Sequence, residues 1–305
     1  MAPRAPVPPR RITPLATPSY VPVGSGFPLS EPALVNLVKA ALDEDRSFDD
    51  VTTISTVVAM RHARAALVAR APGRLAGVPL ALAAFRLLES HVEIRVDVED
   101  GSTVNAGDTI LFLTGPARGL LSAERVALNF MQRLSGIATL TARYVEAVHG
   151  LNVQIVDTRK TPPGWRDLDK YAVRCGGGRN HRRDLSDAVL IKDNHIASCE
   201  GDVAVAVARA RAHVPAGLLI QAECDTVVQV RAAIAAGVDA LLLDNMSLPA
   251  IRECVQLANG HCWTEASGGV TLDTVRGIAE CGVDRISIGA LTHSAPSLDL
   301  ALEVE

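Results

Sequence analysis

The spacing of apolar positions predicts both helices and strands in the first half of the chain. Beginning at Ser30, the predicted N-cap of a helix, apolar residues recur on one helical face, at Leu34, Val35, Leu37, Val38, Ala41 and Leu42. Residues 64–113 predict strands, most clearly where apolar Val92, Ile94, Val96 and Val98 alternate with charged residues. From Ser122 to about His149 the pattern is helical again, with an interruption predicted at Ser135 and Gly136.

The second half has a regular alternation of short apolar runs and helical patterns. Six runs predict strands that begin near Val153, Val189, Leu218, Ala240, Cys262 and Arg285, and residues 178–182 suggest one more short strand. The last four runs start about 22 residues apart, the length of one strand-loop-helix unit. Such units form parallel sheets, so the pattern predicts an α/β barrel, incomplete because it lacks the usual eight strands.

Composition excludes several classes of protein. The chain has 305 residues, a net charge of −4 and 3% aromatic residues, which disfavours nucleic-acid binding by overall charge or by base stacking. No apolar run approaches the ~20 residues that cross a bilayer, so no membrane partner is expected. Six cysteines without a C-x-x-C pair fit a reducing, cytoplasmic location. Residues 1–28 hold eight of the 17 prolines and no acid, which predicts a disordered tail.

Candidate chemistry follows the predicted barrel strands, whose carboxyl ends meet at one edge. Nine of the 30 Lys and Arg residues lie between positions 159 and 192. Among them, Arg159, Lys160, Arg182 and Lys192 stand at strand ends, and His181 lies beside Arg182. This grouping predicts a mouth that attracts a strongly anionic small molecule.

Carboxylates and glycines complete this predicted edge. Glu223 and Asp244 end neighbouring predicted strands. Two acids among cations suit a Mg²⁺ ion that binds jointly with a phosphorylated substrate. The alternative is that the two acids simply pair with the arginines. Ser267-Gly268-Gly269 and Gly289-Ala290 follow the last two strands, where barrels often bind phosphate through backbone N–H groups. From the residues alone, the chain is an enzyme or a binder for a multiply anionic metabolite.

At these same positions the sequence resembles the quinolinate phosphoribosyltransferase family, the decarboxylating nicotinate-nucleotide pyrophosphorylases. The likeness covers roughly residues 30–305 and is carried by DTRKT (157–161), KYAVR (170–174), GGGRNHR (176–182), LIKDNH (190–195), LLDN (242–245), EASGG (265–269) and GALTH (289–293). The resemblance implies an N-terminal α/β sandwich domain, residues 29–136 with 294–305, and an incomplete α/β barrel of about seven strands, residues 137–293. It also implies a homodimer with active sites shared across the interface, and leaves a higher oligomer open.

The resemblance implies a pentosyltransferase of de novo NAD biosynthesis. Quinolinate and phosphoribosyl pyrophosphate (PRPP) would give nicotinate mononucleotide, pyrophosphate and CO₂, with Mg²⁺ as cofactor. Arg159, His181, Arg182 and Lys192 would face quinolinate, and Lys160 would lie near PRPP. Glu223 and Asp244 would hold Mg-PRPP and the ribose. Residues near the phosphates would be Ser267, Gly268, Gly289 and His293, and Arg125 would reach into the partner subunit's site.

Three positions depart from the usual family pattern. Gln221 replaces a common Glu, Pro162-Pro163 replaces Thr-Pro, and Asp184 replaces a frequent Gly. Two alternative functions stay open on the sequence: a related transferase for another acidic ring or a pyrimidine, and a non-catalytic sensor of PRPP or a dicarboxylate.

Overall fold

A computed structural model describes residues 26–305. In chain order its helices are α1 (Glu31–Glu44), α2 (Val51–Thr56), α3 (Val78–Leu88), α4 (Ala117–Ala147), α5 (Arg166–Cys175), α6 (Asp193–Ala197), α7 (Val203–His213), α8 (Val227–Ala235), α9 (Leu248–Ala258), α10 (Leu272–Ala279) and α11 (Ala290–His293). The strands are β1 (His62–Ala69), β2 (Gly73–Arg74), β3 (Glu93–Val96), β4 (Thr103–Val104), β5 (Thr109–Pro116), β6 (Gln154–Val156), β7 (Val189–Ile191), β8 (Ile220–Cys224), β9 (Ala240–Asp244), β10 (Trp263–Ser267), β11 (Arg285–Ser287) and β12 (Leu300–Val304).

The described chain divides into two compact units. One, the parallel-sheet unit, comprises residues 144–159 and 180–288, and the other, the antiparallel-sheet unit, comprises residues 26–143, 160–179 and 289–305. The sequence-based boundaries assign residues 137–143, 160–179 and 289–293 to the barrel, whereas in the structure they group with the antiparallel-sheet unit. Their packing explains this assignment, since a Cβ at Gly176 would overlap the Ala138 carbonyl of α4.

The antiparallel-sheet unit is built on four strands in the order β12-β1-β5-β3. Each neighbouring pair of strands is antiparallel. The last strand of the chain, β12, pairs with the first, β1. In α1, Val38 and Leu42 are fully buried, as the helical pattern predicts. Ser30 occupies the N-cap position without a side-chain capping bond. Of the predicted tail, residues 1–25 lie outside the described residues, and Phe27 packs edge-on against the Tyr171 ring of α5.

Helix α3 corrects the prediction that residues 64–113 are strands throughout. It begins after Gly77, whose φ is +105°, and the Asp100 carboxylate accepts the backbone N–H groups of Gly77 and Val78 at 2.9 and 3.0 Å. The helix buries most of its first two turns, including Leu80 and Phe85. An apolar run buried on several sides hides its helical period, so it cannot be told from buried strands.

The predicted interruption of the long helix at Ser135 and Gly136 is also wrong, because α4 runs for 31 residues without a break. Both residues instead serve close packing. The Ser135 hydroxyl accepts the Ala76 N–H at 3.0 Å and donates to the Ala76 carbonyl at 3.2 Å. A Cβ at Gly136 would overlap the Pro296 carbonyl oxygen. A small residue is needed where the backbone of the C-terminal segment approaches the helix.

The parallel-sheet unit contains six strands in the order β6-β11-β10-β9-β8-β7, all parallel. Each starts within about two residues of the position predicted from the apolar runs, so the α/β fold class is confirmed. Within the described part of the chain, residues 178–182 contribute only a single bridged residue, Arg179. The sheet therefore has six strands and not the approximately seven that the resemblance implies. Among residues 26–305, no helix is long and apolar enough to span a membrane.

Candidate active site

The carboxyl ends of β8, β9 and β10 bring two predicted acids and a serine to one edge of the parallel sheet. Asp244 and Ser267 are paired in register, and the Ser267 hydroxyl donates to Asp244 Oδ1 at 2.6 Å. The Asn245 side-chain amide donates to the other carboxylate oxygen at 2.8 Å. Both oxygens of Asp244 are thus held, and the carboxylate is fixed at the rim formed by these strand ends.

Lys192, which follows β7, forms an ion pair with Glu223 of the neighbouring strand β8. The ammonium nitrogen lies 2.6 Å from Glu223 Oε2, and 46% of the lysine side chain is exposed. The Lys192 N–H donates to the His195 ring at 3.0 Å, which fixes the backbone where the strand ends. The structure therefore brings Lys192 and Glu223 together at the rim, with the lysine open to solvent.

Buried Asp157, directly after β6, holds the segment that carries His181 and Arg182. Its carboxylate is 0% exposed and accepts the Asn180 side-chain amide at 2.6 Å and the His181 backbone N–H at 2.8 Å. The sequence alone predicts no role for Asp157 or Asn180. Asp157 and Asn180 stand close in the sequence to the predicted cations. The hydrogen bond between them forms only because the segment with Asn180 and His181 folds back onto the end of β6.

Arg159 and Arg182 form a cationic pair at this end of the sheet. Burial and the nearby positive charge of Arg159 lower the pKa of the Arg182 guanidinium, a trend that Asp187 partly opposes. Arg182 Nη1 donates to the Ala188 carbonyl at 2.9 Å, while Arg159 Nε is buried with no hydrogen-bond partner in the described chain. Two close guanidinium groups with an unsatisfied buried donor form a site that favours an anion.

A buried carboxylate, Glu265, lies below the rim on β10. It is 0% exposed, and its Oε1 lies 3.4 Å from Nε2 of His181. The Gln221 amide on β8 donates to its Oε2 at 3.3 Å. Burial alone would raise the pKa of Glu265, but polar interactions with His181, Ser287 and Gln221 outweigh this effect and lower the pKa. Gln221, a departure from the family pattern, is thus a buried donor to an ionised acid.

The loop after β10 requires glycine. Gly268 has φ +91° and Gly269 has φ +57°, both in the left-handed region. A Cβ at Gly268 would also overlap the side chain of Asn245, itself at φ +53°. Because the Asn245 N–H donates to the Ser267 carbonyl at 3.0 Å, the loops after β9 and β10 are joined. This arrangement places Ser267 and Gly268 beside Asp244 and Asn245.

The remaining predicted residues belong to the antiparallel-sheet unit. Lys160, Gly289 and His293 lie together there: a Cβ at Gly289 would stand 3.0 Å from Lys160 Cδ and 3.1 Å from His293 Nε2. The Thr292 hydroxyl donates to the Lys160 carbonyl at 2.8 Å, which fixes the two segments. Arg125 is exposed on α4 and forms no hydrogen bond or ion pair within residues 26–305.

The donor set for a metal consists of Glu223 and Asp244. No cluster of three or more His, Cys, Asp or Glu side chains that could hold a metal occurs in residues 26–305. Two carboxylates supply the hard oxygen ligands that Mg²⁺ prefers, and Mg²⁺ in such sites takes its remaining ligands from phosphates and water. The residues therefore fit a Mg²⁺ ion that binds with a phosphorylated substrate, and do not form an all-protein cage.

Asp184, another departure from the family pattern, organises an exposed loop. Its carboxylate accepts the Ser186 backbone N–H at 2.9 Å and hydroxyl at 2.6 Å, and it pairs with Arg183 at 3.1 Å. The hydrogen bonds from Ser186 lower the pKa of Asp184, and Arg183 adds to this effect. Asp184 thus stabilises the turn that follows Arg182.

Cationic side chains together with two carboxylates at the carboxyl edge of a parallel α/β sheet are typical of a site for small, multiply charged anions. Family models described as quinolinate phosphoribosyl transferase match the chain, the C-terminal domain over residues 137–303 and the N-terminal domain over residues 50–135. The chain therefore belongs to the quinolinate phosphoribosyl transferase family.

Similar proteins agree in sequence and in structure. A probable nicotinate-nucleotide pyrophosphorylase (carboxylating) of Bacillus subtilis is 43% identical over 86% of this chain and 90% of that protein. The nicotinate-nucleotide pyrophosphorylase (carboxylating) of Mycobacterium leprae is 42% identical over 88% and 95%. The crystal structure of NadC from Streptococcus pyogenes, 41% identical, has a TM-score of 0.86 and covers 91% of this chain and 98% of that one. These relatives carry the names of pentosyltransferase enzymes, which confirms the expected enzyme class.

Proposed function

We propose that the chain transfers the phosphoribosyl group of PRPP to quinolinate in a Mg²⁺-dependent, decarboxylating reaction that gives nicotinate mononucleotide, pyrophosphate and CO₂. The observation that carries the proposal is the Arg159–Arg182 pair, with its mutual repulsion and its buried, unsatisfied Arg159 Nε. Quinolinate is a dicarboxylate, and its binding relieves that repulsion while supplying acceptors for both guanidinium groups.

The rim residues divide into roles that fit the two substrates. Arg159, His181 and Arg182 surround the quinolinate carboxylates, and Lys192 faces the same ligand from β7. In the free protein Lys192 pairs with Glu223 at 2.6 Å. A bound carboxylate can replace that partner, because Lys192 is about half exposed and its flexible ammonium can turn toward the ligand.

Glu223 and Asp244 are the groups that would hold Mg²⁺ together with PRPP and its ribose. When bound, the ion supplies positive charge that neutralises the pyrophosphate leaving group. The ring nitrogen forms a bond to the anomeric carbon while the bond to pyrophosphate breaks, and pyrophosphate leaves with that electron pair. The two carboxylates stabilise the positive charge that develops on the ribose carbon, since fixed groups aimed at developing charge lower the barrier.

Loss of CO₂ breaks the bond between the ring and its 2-carboxylate and leaves the electron pair on the ring carbon. The positively charged ring nitrogen and the Lys192 ammonium stabilise this negative charge, and a proton from solvent then completes the product. We propose that Ser267 and Gly268 bind phosphate at the rim. Lys160, Gly289 and His293, which lie together in the antiparallel-sheet unit, are also proposed as phosphate-binding residues. Lys160 is an exposed cation. Ser267 lies at the start of a loop in which Gly268 and Gly269 adopt positive φ angles that favour glycine.

We further propose a homodimer in which Arg125 enters the site of the partner subunit. Its support is the exposure of Arg125 on α4, where it has no recorded ion pair within residues 26–305. Complementation tests this arrangement. Arg125→Ala and Arg159→Ala are each expected to be inactive, and mixing them after partial dissociation should restore turnover, because one site per heterodimer receives both arginines. Mixtures as inactive as the separate variants would contradict a shared site.

Turnover itself is tested with purified protein, quinolinate, PRPP and Mg²⁺, following CO₂ release and mononucleotide absorbance. Arg159→Ala and Arg182→Ala should lose activity and retain the wild-type unfolding transition. Arg231→Ala is the matched control, since Arg231 pairs only with exposed Glu253 at 3.0 Å on the outer helices. Removal of Mg²⁺ by EDTA should abolish turnover reversibly. Turnover of another acidic ring in place of quinolinate, or tight binding without product, would reject the proposal.

A further inference from the structure

Glu265 is a buried acid that the reaction as described does not use. It lies on β10 two residues before Ser267, so both side chains are on the same face of the strand, with Glu265 one layer below the rim. It is 0% exposed, and its Oε1 lies 3.4 Å from Nε2 of the His181 ring. An ionised carboxylate in such a place is retained only if it is paired and hydrogen-bonded.

The His181 ring connects this acid to the anion site. Its Nδ1 accepts the Arg182 backbone N–H at 2.7 Å, so the ring proton of the neutral imidazole must be on Nε2. That nitrogen faces Glu265 Oε1. The carboxylate therefore selects one tautomer of His181, and the same tautomer leaves Nδ1 free to accept the Arg182 N–H.

Gln221 supplies the second support of the carboxylate. It is 1% exposed on β8, two residues before Glu223, and donates to Glu265 Oε2 at 3.3 Å across the sheet. An amide at this position donates without bringing a second negative charge. A carboxylate there would force the two acids to share a proton, because like charges at this distance cannot both ionise.

We propose that Glu265, supported by Gln221, is a positioning residue that acts through His181 to fix Arg182 for binding of the quinolinate carboxylates. The proposal rests on the proposed function for the identity of the anion. The relay runs from Gln221 to Glu265, to the ring of His181, to the backbone of Arg182. Its members lie in the same compact unit, and its three links measure 3.3, 3.4 and 2.7 Å.

Kinetics of Glu265→Gln test the relay. The variant should raise the KM for quinolinate about tenfold, because the His181 ring loses its ionised partner, and should leave the KM for PRPP unchanged. Thr264→Val is the matched control, because Thr264 is buried on the same strand but bonds to Asp284 and not to His181. In a His181→Ala background, Glu265→Gln should have no further effect. An equal tenfold loss in that background, or equal losses for both substrates, would overturn the proposal.

Two further measurements decide the case if Glu265→Gln does not fold. Gln221→Met removes one donor and keeps the carboxylate, so it should raise the quinolinate KM by a smaller factor in the same direction; an unchanged KM would count against the relay. Nitrogen-15 NMR of the wild-type protein should show His181 with its proton on Nε2, and an Nδ1-protonated ring would overturn the relay. The NMR result holds even if quinolinate proves not to be the substrate, so failure of the two proposals can be distinguished.

Discussion

Replacing Asp157 by asparagine exchanges one oxygen of a fully buried carboxylate for an NH₂ group. In the native protein the two oxygens accept from the Asn180 amide at 2.6 Å and from the His181 backbone N–H at 2.8 Å. Asparagine retains one acceptor, so one of these donors must face another donor. A hydrogen bond to a charged group contributes about 1.5–3 kcal/mol, and an unsatisfied buried donor is unfavourable by a similar amount.

We expect Asp157→Asn to lower the free energy of unfolding by about 2–3 kcal/mol, measured by urea denaturation. The larger effect should be on catalysis, because Asp157 fixes the segment that carries His181 and Arg182. A displacement of about 1 Å in a substrate-positioning group reduces rates about a hundredfold. Steady-state assays with quinolinate varied at saturating PRPP should show this loss in kcat/KM.

Asp284→Asn is the control for this substitution. Asp284 also accepts one backbone N–H and one side-chain donor, both from Thr264 at 2.7 and 3.1 Å, but it precedes β11 and so lies at the amino end of the sheet. Because both donors bind the single oxygen Oδ2, which an asparagine oxygen can replace, the variant should keep nearly wild-type stability and wild-type kcat/KM. If Asp157→Asn keeps wild-type kinetics while folding normally, or if both variants lose activity equally, the argument that Asp157 positions the anion site is refuted.

Three other predictions concern packing, pH and thiol chemistry. Gly136→Ala should destabilise the protein by about 1–3 kcal/mol, because its Cβ would overlap the Pro296 carbonyl. Gly277→Ala in α10, whose Cβ would meet only the Leu248 side chain at 3.4 Å, should raise or maintain Tm; equal effects would contradict the close-packing argument. Burial raises the pKa of Asp100 in the folded protein. Protonation of Asp100 therefore stabilises the folded state at pH values below the pKa that this group has in the unfolded chain. This stabilisation is lost as the pH rises through the pKa of the folded state. The stability of the wild type minus that of Asp100→Asn should therefore fall above about pH 4, and a pH-independent difference would exclude this explanation. Native protein should react with alkylating reagents at Cys199 alone, since the other five cysteines are buried with raised thiol pKa values; fast labelling of more than one thiol before unfolding would refute this.

The strand ends show what sequence reasoning could reach in the candidate site. Parallel strands bring their carboxyl ends to one edge, so the residue types that follow each apolar run indicate the composition of the rim. Lys192, Glu223 and Asp244 are placed there by that rule, and the structure adds the 2.6 Å ion pair between the first two. The sequence of helix α3 wrongly predicts strands because its burial on several sides hides the helical period. The break predicted in α4 is wrong because the small residues Ser135 and Gly136, which resemble a turn in the sequence, allow a close approach of the backbone.

The sequence by itself determined the α/β class, the start of each parallel strand and the charge of the rim, because these depend on local hydrophobic period and on residue identity. Only the tertiary structure decided which groups hold one another. Asp157 meets His181 across 24 residues and Gln221 meets Glu265 across 44. Such pairs depend on strand register and on the inward direction of each side chain, which no local pattern encodes, since the two partners come together only when separate strands pack into one sheet.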